Sequence, residues 1–432
     1  MSIYHIEAWL ENSWQVVATL EANTADEAAG YFGGITLNYL LEYALTHLNS
    51  RGPAAVSVSR PVTLMPDRRE QWPGWLCDLL PQGQGRERLG QYLGFNEFET
   101  RQRSSDWPLL AHASGNPIGH LRLREAADWL SQQRKAEQGW PLSALSERHE
   151  NFLEGLLASG LAPGGTSGAQ GEWPKVLMAQ DSHDLWHLDH QLPDELAQSR
   201  WLVKLARRND PIYSVILEAE AAYHALAREL GLRSYGSVHY YQDTLRVERF
   251  DRIRDGAGRW QRIAQESLYS ALDCSGFDAN LTHLQACRGL AAIVSEPERE
   301  LLEYVWRDIV NLALGNRDNH GRNTAIQRFE DGRIALSPIY DLAPMLLHPD
   351  GIPRRMRWYP DERAKPDWRK VACLLEDEGL LPVGVLSKHY RDWYGQLMTV
   401  PERLRVLNCP ERVIKAIQPC WQETLNALAE AL

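Results

Sequence analysis

The chain has 432 residues, of which 44% are hydrophobic and 24% are charged. That balance is typical of globular proteins, and the length suits two or three domains with a sizeable buried core. Acidic residues outnumber basic residues by 57 to 46. The excess argues against a broad surface for nucleic acid phosphates, so a nucleic-acid-binding protein is not the expected class.

The cysteines and the N-terminal stretch indicate the cellular compartment. Six cysteines are present and none of them forms a C-x-x-C pair, so neither a redox motif nor a cysteine zinc site is expected. Glu7 and Glu11 interrupt the first residues where a signal peptide needs an unbroken apolar stretch, and no segment has the length and apolar character of a membrane span. We therefore expect a cytoplasmic protein with reduced thiols and no membrane association.

The first part of the chain combines short strand patterns with helical ones. The strand-like segments include "YHIEAWL", "SWQVVATL" and "AAVSVS", and residues 1–125, ending in "GHLRLRE", are predicted to form a small α+β unit. Residues 126–158 have the pattern of an amphipathic connector. A glycine-rich segment, "SGLAPGGTSGAQGEWP", follows at 159–174 and interrupts regular structure.

The rest of the chain turns from strands to helices. Strand patterns resume at "KVLMA" and at "RWLVKLA", which contains Lys204, and a helical pattern in "SVILEAEAAYHALARELGL" then ends at Gly231. "GSVHYY" and "LRVERFDR" are strand-like, and helical patterns such as "LLEYVWRDIVNLALG" dominate from about residue 260. This order of glycine-rich loop, lysine strand, helix, further strands and helical half is the order that a nucleotide-dependent kinase requires.

The segment "GNRDNHGRNTAI" at 315–326 contains candidate catalytic groups. Asp318 and Asn323 are five residues apart, as the base and a magnesium ligand are in kinase catalytic loops. Asp341 follows the strand-like segment "IALSPIY", which is expected to return beside this loop and supply a metal-binding carboxylate. The spacing by itself also fits a helix cap or a turn, and that simpler interpretation stays open at this point.

The glycine-rich segment and Lys204 are candidates for the phosphate site of a kinase. Glycines let backbone N–H groups approach phosphates, and a lysine on a neighbouring strand contacts those phosphates in kinases. Glu220 on the following helix is a candidate ion-pair partner for Lys204, with Glu218 and Glu229 as alternatives. A flexible linker, an edge-strand lysine and solvated glutamates are the simpler interpretations.

Taken together, these motifs resemble those of the bacterial HipA-type serine/threonine kinase toxins. "GNRDNHGRN" is similar to the family's G-N-x-D-x-H-x-K-N loop, "LSPIYDLAP" to its L-x-P-x-Y-D segment, and "VERFDR" at 247–252 to its R-F-D-R signature. "TSGAQGEWPK" resembles its S-x-x-G-A-Q-x-K phosphate loop, and "WLCDLLPQGQGRERL" at 75–89 resembles its N-terminal L-L-P-[DE] segment. The matches run in the family's order from about residue 60 to about residue 345.

The resemblance implies an α+β, bilobal, protein-kinase-like fold with an extra N-terminal α+β subdomain. On that pattern, residues 1–125 form the N-terminal subdomain, residues 126–255 form the N-lobe with the glycine-rich loop and hinge, and residues 256–432 form a mostly helical C-lobe with the catalytic loop. The resemblance also implies ATP and Mg²⁺ as cosubstrates and a serine or threonine of a protein as the acceptor.

The same resemblance implies a role as the toxin of a toxin–antitoxin system. The expected protein substrate belongs to the translation machinery, with aminoacyl-tRNA synthetases as the target class, and its phosphorylation would arrest growth. The expected partner is a small DNA-binding HipB-type antitoxin that restrains the kinase. Contact with DNA would then be only indirect, through the antitoxin.

The resemblance further implies roles for individual residues. Asp318 is the base, Asn323 and Asp341 hold Mg²⁺, and Lys204 meets the phosphates. His320 of the catalytic loop also belongs to the expected nucleotide site. The remaining nucleotide-binding residues come from the phosphate loop and from the hinge, where "VERF" offers backbone groups to adenine: Gly168, Ala169, Gln170, Lys175, Glu248, Phe250 and Asp251.

Two departures from the family pattern concern residues that are expected to lie at the nucleotide site. Arg322 replaces the lysine that precedes Asn323 in the family, and "GEW" lengthens the link between Gln170 and Lys175. The family's loop serine, whose autophosphorylation silences the enzyme, aligns near Gly165. Its neighbours Thr166 and Ser167 are therefore the candidates for autophosphorylation.

Other functions stay open on the residues alone. A small-molecule phosphotransferase would use the same ATP groups, and an inactive kinase fold could serve as a binding module. The presence of Asp318, Asn323, Asp341 and Lys204 argues against the inactive module. Incubation of a lysate with labelled ATP would separate a protein kinase from a small-molecule phosphotransferase.

A histidine-rich stretch, "SHDLWHLDH", is a rival metal site. If the stretch were helical, His183 and His187 would share a face and could bind zinc, with His190 nearby. It lacks the glutamate of an H-E-x-x-H motif and lies between two strands of the expected ATP lobe. A surface location of these histidines is therefore the favoured interpretation.

Overall fold

A computed structural model describes most of the chain, as residues 2–133, 138–147, 174–206, 210–277, 279–363 and 365–432. The chain divides into two compact units. The first unit consists of residues 1–207, 241–279 and 327–332, and the second of residues 208–240, 280–326 and 333–432. The predicted phosphate loop with its candidate residues, Thr166, Ser167, Gly168, Ala169 and Gln170, lies outside the described residues.

The strands concentrate in the first two thirds of the chain. In chain order the described strands are β1 Ser2–Leu10, β2 Ser13–Ala22, β3 Ile35–Tyr39, β4 Asp67–Arg69, β5 Leu121–Leu123, β6 Lys175–Gln180, β7 Trp186–Leu188, β8 Ser199–Leu205, β9 Val238–Tyr241, β10 Thr244–Glu248, β11 Arg252–Arg254, β12 Trp260–Arg262, β13 Ala264–Ser267, β14 Ala325–Arg328 and β15 Ile334–Leu336.

The long helices lie mainly in the second half, as the helical patterns predict. In chain order the described α-helices are α1 Thr24–Ala29, α2 Leu41–His47, α3 Gly74–Leu79, α4 Gly83–Tyr92, α5 Glu97–Arg101, α6 Asp106–Ala113, α7 Arg124–Gln132, α8 Leu142–Glu147, α9 Ile212–Glu229, α10 Leu268–Ala271, α11 His283–Ile293, α12 Pro297–Ala313, α13 Trp368–Asp377, α14 Val385–Met398, α15 Val400–Val406 and α16 Glu411–Ala431.

An antiparallel sheet forms the centre of the first unit. Its strand order is β4-β3-β2-β1-β5, and the pairing places Ile6 of β1 opposite Ala18 of β2 and Leu123 of β5. These apolar side chains are completely buried, and Trp72 and Trp107 pack edge to face in the same core at a ring distance of 4.7 Å. The predicted α+β character of the N-terminal stretch is therefore confirmed.

The strand predicted for "AAVSVS", residues 54–59, is wrong. The segment forms turns with a single bridge between Ser57 and Arg60. The buried carboxylate of Glu266 accepts from two of its polar groups, Val58 N at 2.8 Å and Ser57 Oγ at 2.6 Å. A side chain distant in the sequence thus replaces the neighbouring strand that the apolar alternation implied.

A second antiparallel sheet of the first unit contains the two lysine strands. It pairs β7 with β6, β6 with β8, and β8 with β10. Strand β6 is buried along almost its whole length, which explains its continuous apolar sequence. The register sets Lys175 of β6 directly opposite Lys204 of β8.

The second unit is built mainly from helices. Helix α12 begins with Pro297 at its first turn and carries Glu298 and Glu300 there, which suits the positive end of the helix dipole. It packs against α11 and α16, and Trp306 stacks on Trp393 of α14 at a ring distance of 5.0 Å. Among the helices of the described ranges, none combines the length and apolar character that a membrane span requires.

The two units divide the chain differently from the three predicted domains. Helix α9, which lies within the predicted N-lobe at 126–255, belongs to the second unit. It packs against α15 and α16, and the Tyr223 hydroxyl donates to the Leu314 carbonyl at 3.0 Å. The boundaries of the three domains stay a prediction.

Candidate active site

The catalytic loop predicted at 315–323 directly follows α12 in the second unit. The chain leaves the helix through Gly315, whose φ of +67° favours glycine, and a Cβ there would overlap the side chain of Leu346. The next amide, Asn316 N, donates to the Asn311 carbonyl at 2.8 Å. The helix end therefore determines where the polar loop begins.

Asn316 links the catalytic loop to the segment that carries Asp341. Its side chain is buried, and Nδ2 donates to Asn311 Oδ1 at 2.7 Å and to the Asp341 carbonyl at 3.1 Å. Its Oδ1 accepts from Asp318 N at 3.2 Å. One amide side chain thus contacts the backbone of both the predicted base, Asp318, and the predicted metal ligand, Asp341.

Asp318, His320 and Asn323 lie together on this loop. Asn323 Nδ2 donates to the Asp318 carbonyl at 2.7 Å and lies 3.4 Å from Asp318 Oδ2, while His320 Nε2 is 3.3 Å from Asp318 Oδ1. The side chain of Asp318 is 33% exposed, so its carboxylate is both held and accessible. Because the amide nitrogen of Asn323 faces Asp318, its Oδ1 is the atom that can bind a cation.

The segment after β15 returns beside the loop, as the sequence pattern predicts. Ser337 N donates to the Ala325 carbonyl at 2.8 Å, and the Tyr340 hydroxyl donates to the Arg322 carbonyl at 2.7 Å. Asp341 then adopts a left-handed φ of 52°, which is rare for a residue with a side chain and costs conformational energy. Strained backbone of this kind is common at functional sites, where surrounding contacts impose it.

The departure at Arg322 leaves the loop backbone intact. Arg322 N donates to His320 Nδ1 at 3.1 Å, and its carbonyl is held by Tyr340. The backbone of this residue, rather than its side chain, therefore supports the loop in these contacts.

The donor set of the loops suits Mg²⁺ held jointly with a nucleotide. Asn323 and Asp341 offer an amide oxygen and a carboxylate, which are ligands of hard cations. Within the described ranges no cluster of three or more His, Cys, Asp or Glu side chains could hold a metal ion by itself. In kinases, phosphate oxygens and water complete the shell of a cation held by two such ligands.

Lys175 and Lys204 occupy one face of the sheet in the first unit. Residues directly opposite on antiparallel strands point to the same side, and the two lysines are only 5% and 4% exposed. A pair of neighbouring buried ammonium groups suits the recognition of a phosphate chain. Glu220, the predicted partner of Lys204, is 2% exposed on α9.

The predicted hinge residues have unequal surroundings in the first unit. Glu248 and Phe250 are half-buried, and the Phe250 carbonyl accepts from Gln327 Nε2 at 3.1 Å. The Asp251 carboxylate is buried and accepts from Arg249 Nη2 and Arg252 Nη1, both at 2.7 Å, and from Gly119 N at 2.8 Å. Its side chain therefore has a structural role in these contacts, and a contact of this hinge with adenine stays a prediction.

The arginines of this cluster favour the ionised form of its two carboxylates. Burial alone would raise the pKa of Asp251, but the guanidinium groups of Arg249 and Arg252 lower it to about 2. Asp189, which accepts from Arg249 Nη1 at 2.8 Å and from Arg200 Nη1 at 2.6 Å, likewise has its pKa lowered by those arginines despite burial. Much of the R-F-D-R motif thus builds a buried ion-pair network.

The rival histidine stretch does not form a helix. His183 lies in a turn and His187 lies on β7, where its Nε2 is 2.9 Å from Asp181 Oδ2. Among the described residues of this stretch, no cluster of three or more His, Cys, Asp or Glu side chains could hold a metal ion. The surface interpretation fits His183, which is exposed.

The structure also reveals site residues that sequence reasoning missed. Asn319, between the predicted base and His320, donates from Nδ2 to the buried carboxylate of Asp308 at 3.0 Å. Asn311 supports Asn316, as described above. The asparagines of "GNRDNHGRN" were visible as a polar run, whereas Asp308 lies within an apolar helix pattern that gives no sign of its partner.

A comparison with solved structures supports the kinase-like fold. HipA of Shewanella oneidensis MR-1, solved as a complex of HipA, HipB and operator DNA, is similar to this chain with a TM-score of 0.64 at 16% identity. The similarity covers 98% of this chain and 96% of that chain. The expected α+β, kinase-like fold is therefore confirmed.

The sequence comparisons establish the family. The model of the HipA-like C-terminal domain matches residues 167–398, which is more than half of the chain. A protein of Sinorhizobium fredii (strain NBRC 101917 / NGR234), named "Putative kinase Y4mE", is 26% identical over 338 residues, covering 72% of this chain and 73% of that protein. This chain belongs to the HipA-like C-terminal domain family, and its resemblance to HipA-type kinases is confirmed.

Proposed function

We propose that this protein is an ATP- and Mg²⁺-dependent serine/threonine protein kinase. The observation that carries the proposal is that the Asn316 side chain bridges the backbones of Asp318 and Asp341, while Asn323 donates to the Asp318 carbonyl. A turn or helix cap would account for one of these contacts. It would not explain why the backbones of two distant segments, those of Asp318 and Asp341, are held by the same side chain.

Each group has a distinct task in the proposed reaction. Asp318 accepts the proton of the acceptor hydroxyl, and Asn323 and His320 orient its carboxylate through contacts at 3.4 and 3.3 Å. Asn323 Oδ1 and the Asp341 carboxylate would hold Mg²⁺, which neutralises charge on the phosphates when bound. Lys175 and Lys204 are proposed to meet the phosphates.

We further propose that the protein acts as the toxin of a HipA/HipB-like system in the cytoplasm. Membership in the family supports this role, and the Shewanella HipA structure contains HipB and operator DNA. The proposed partner is a HipB-like antitoxin, with DNA contacted only through it. The proposed substrate is a protein of the translation machinery, such as an aminoacyl-tRNA synthetase, whose phosphorylation would arrest growth.

Incubation of the purified chain with labelled ATP, Mg²⁺ and a bacterial lysate tests the kinase assignment. We expect a labelled protein band whose label is on serine or threonine, and we expect Asp318→Asn to reduce it by at least about a hundredfold, because general base catalysis is lost. ATP should still bind to that variant, because the metal ligands remain. Glu330→Gln, which alters an exposed carboxylate outside the site, is the matched control.

The outcomes separate the remaining alternatives. ATP turnover without any labelled protein, restored by a small acceptor, would favour a small-molecule phosphotransferase. Turnover by Asp318→Asn within about tenfold of the unaltered chain would remove Asp318 from the role of base. Absence of both ATP binding and transfer would favour a binding module.

A further inference from the structure

A buried carboxylate on α12 joins three parts of the second unit. Asp308 is 1% exposed. Its Oδ1 accepts from Asn319 Nδ2 at 3.0 Å, and its Oδ2 accepts from Trp358 Nε1 at 2.8 Å and from Arg354 Nη2 at 3.2 Å. One side chain of the helix therefore contacts both the catalytic loop and the segment beyond Asp341.

The segment beyond Asp341 is itself firmly held at this point. Arg354 also pairs with Glu362, and Glu362 Oε2 accepts from Trp358 N at 2.6 Å. His283 of α11 stacks on the Trp358 ring at 5.0 Å, and its backbone N–H donates to the Arg357 carbonyl at 2.8 Å. The donors that reach Asp308 from residues 354–358 are therefore preorganised.

The contact of Asp308 with the loop is made at the residue next to the proposed base. Asn316 accepts from the Asp318 backbone N–H, and Asn323 donates to the Asp318 carbonyl. Asn319 supplies a further hold, from its own side chain to a charged acceptor, and hydrogen bonds to charged groups are stronger than neutral ones. Fixing Asn319 restricts the peptide that connects it to Asp318.

We propose that Asp308 is a positioning residue for phosphoryl transfer, which holds the Asn319 amide and thereby the backbone that carries Asp318. This inference rests on the proposed kinase function for its catalytic consequence. Asp308 also ties the same backbone to Arg354 and Trp358, so the catalytic loop and the segment after the metal-binding carboxylate share one anchor. Asp308 itself is buried and does not touch the reacting atoms.

A purely structural role for the contact between Asp308 and Asn319 predicts different results. If Asn319 only fills space, the isosteric change Asn319→Asp should be tolerated at least as well as Asn319→Ala. If Asn319 is an oriented donor, Asn319→Asp should be the more harmful change, because it sets a second carboxylate against Asp308. Both variants leave Arg354 and Trp358 in place, so the buried charge of Asp308 keeps partners.

Kinetics and backbone exchange of the full chain test the positioning role. In Asn319→Ala we expect kcat to fall about tenfold or more, since a hydrogen bond to a charged group is lost, while KM for ATP changes by less than about threefold. Amide hydrogen exchange in residues 315–323 should accelerate by a similar factor of about ten. Glu330→Gln, which changes an exposed carboxylate outside the loop, is the control and should leave kcat and the exchange rate unchanged.

A second variant shows whether the two residues act through one contact. Asp308→Asn removes the charged acceptor, and combining it with Asn319→Ala should lower kcat little further than Asp308→Asn does alone. Independent, multiplying effects would overturn the proposal. So would unchanged exchange in residues 315–323 of Asn319→Ala, whether or not the chain has kinase activity. An inactive unaltered chain would instead contradict the proposed function, and the exchange measurement would still decide whether Asp308 holds the loop.

Discussion

At the scale of single residues, the predicted metal-binding carboxylate depends on an unusual backbone conformation. Asp341 has a φ of 52°, and its carbonyl accepts from the buried Asn316 side chain. Asparagine and aspartate tolerate left-handed backbone better than other residues with side chains. The site thus tolerates Asp or Asn at position 341 conformationally, while only Asp supplies a charged ligand.

This difference makes Asp341→Asn a clean test of metal binding. We expect the Mg²⁺ concentration needed for half-maximal ATP binding to rise at least about tenfold, because a charged oxygen ligand of a hard cation is lost. Isothermal titration with ATP at a series of Mg²⁺ concentrations measures the shift. Asp350→Asn, which changes a 67% exposed carboxylate, is the control. An unchanged Mg²⁺ dependence would mean that Asp341 is a structural residue.

At the scale of elements, the proposed phosphate site has two parts, which are the paired lysine strands and the glycine-rich segment before them. The register of β6 and β8 places Lys175 and Lys204 side by side. The segment at 159–174, just before Lys175 in the sequence, carries the candidate autophosphorylation residues Thr166 and Ser167. A phosphate on either hydroxyl would bring about two negative charges to the place proposed for the ATP phosphates.

We therefore expect incubation with ATP and Mg²⁺ to place phosphate on Thr166 or Ser167 and to reduce kinase activity as it accumulates. Mass spectrometry against time, combined with activity measurements, follows both quantities. The modification should be absent in Asp318→Asn, and the double variant Thr166→Ala with Ser167→Ala should retain its activity. If a protein substrate is phosphorylated while both hydroxyls stay unmodified, the switch is absent and control by a partner is favoured.

The sequence predicted the local segments of the site but not the contacts between distant elements. Spacing and strand patterns placed Asp318, Asn323 and Asp341 on two segments that the structure brings together, because local motifs encode local geometry. They missed the contact between Asp308 and Asn319, since a hydrogen bond between a helix and a later loop leaves no periodic pattern. The wrong strand at 54–59 has the same cause, as its Val58 N–H donates to Glu266, about two hundred residues away in the sequence.

At the scale of the whole molecule, each compact unit buries a histidine whose charged form is disfavoured. Burial lowers the pKa of His120 in the first unit to about 3, and the Arg328 guanidinium adds to the effect. Burial likewise lowers the pKa of His283 in the second unit to about 4, against the opposing charge of Asp308. Both histidines are 1% exposed, so protonation in the folded state is strongly opposed by desolvation.

These two histidines predict that the protein loses stability in mild acid. Between the unfolded pKa of about 6.5 and the folded values, the unfolded chain binds protons that the folded chain does not, so stability falls as pH falls. From pH 7 to pH 5 each histidine should lower the free energy of unfolding of its unit by about 2 kcal/mol. Urea unfolding at both pH values, followed by hydrogen exchange in each unit, measures the losses separately.

A variant of His120 isolates the contribution of the first unit. His120 Nε2 contacts the Pro53 carbonyl at 2.8 Å, and His120→Gln keeps a donor near that carbonyl but removes the titrating group. Whatever the stability of this variant at pH 7, the free energy of unfolding of its first unit should fall by about 2 kcal/mol less between pH 7 and pH 5 than in the unaltered chain. His183→Gln is the control, because that side chain is exposed and water reaches it in the folded and the unfolded state alike. An equal loss in His120→Gln and in the unaltered chain would show that the acid sensitivity of the first unit comes from other groups.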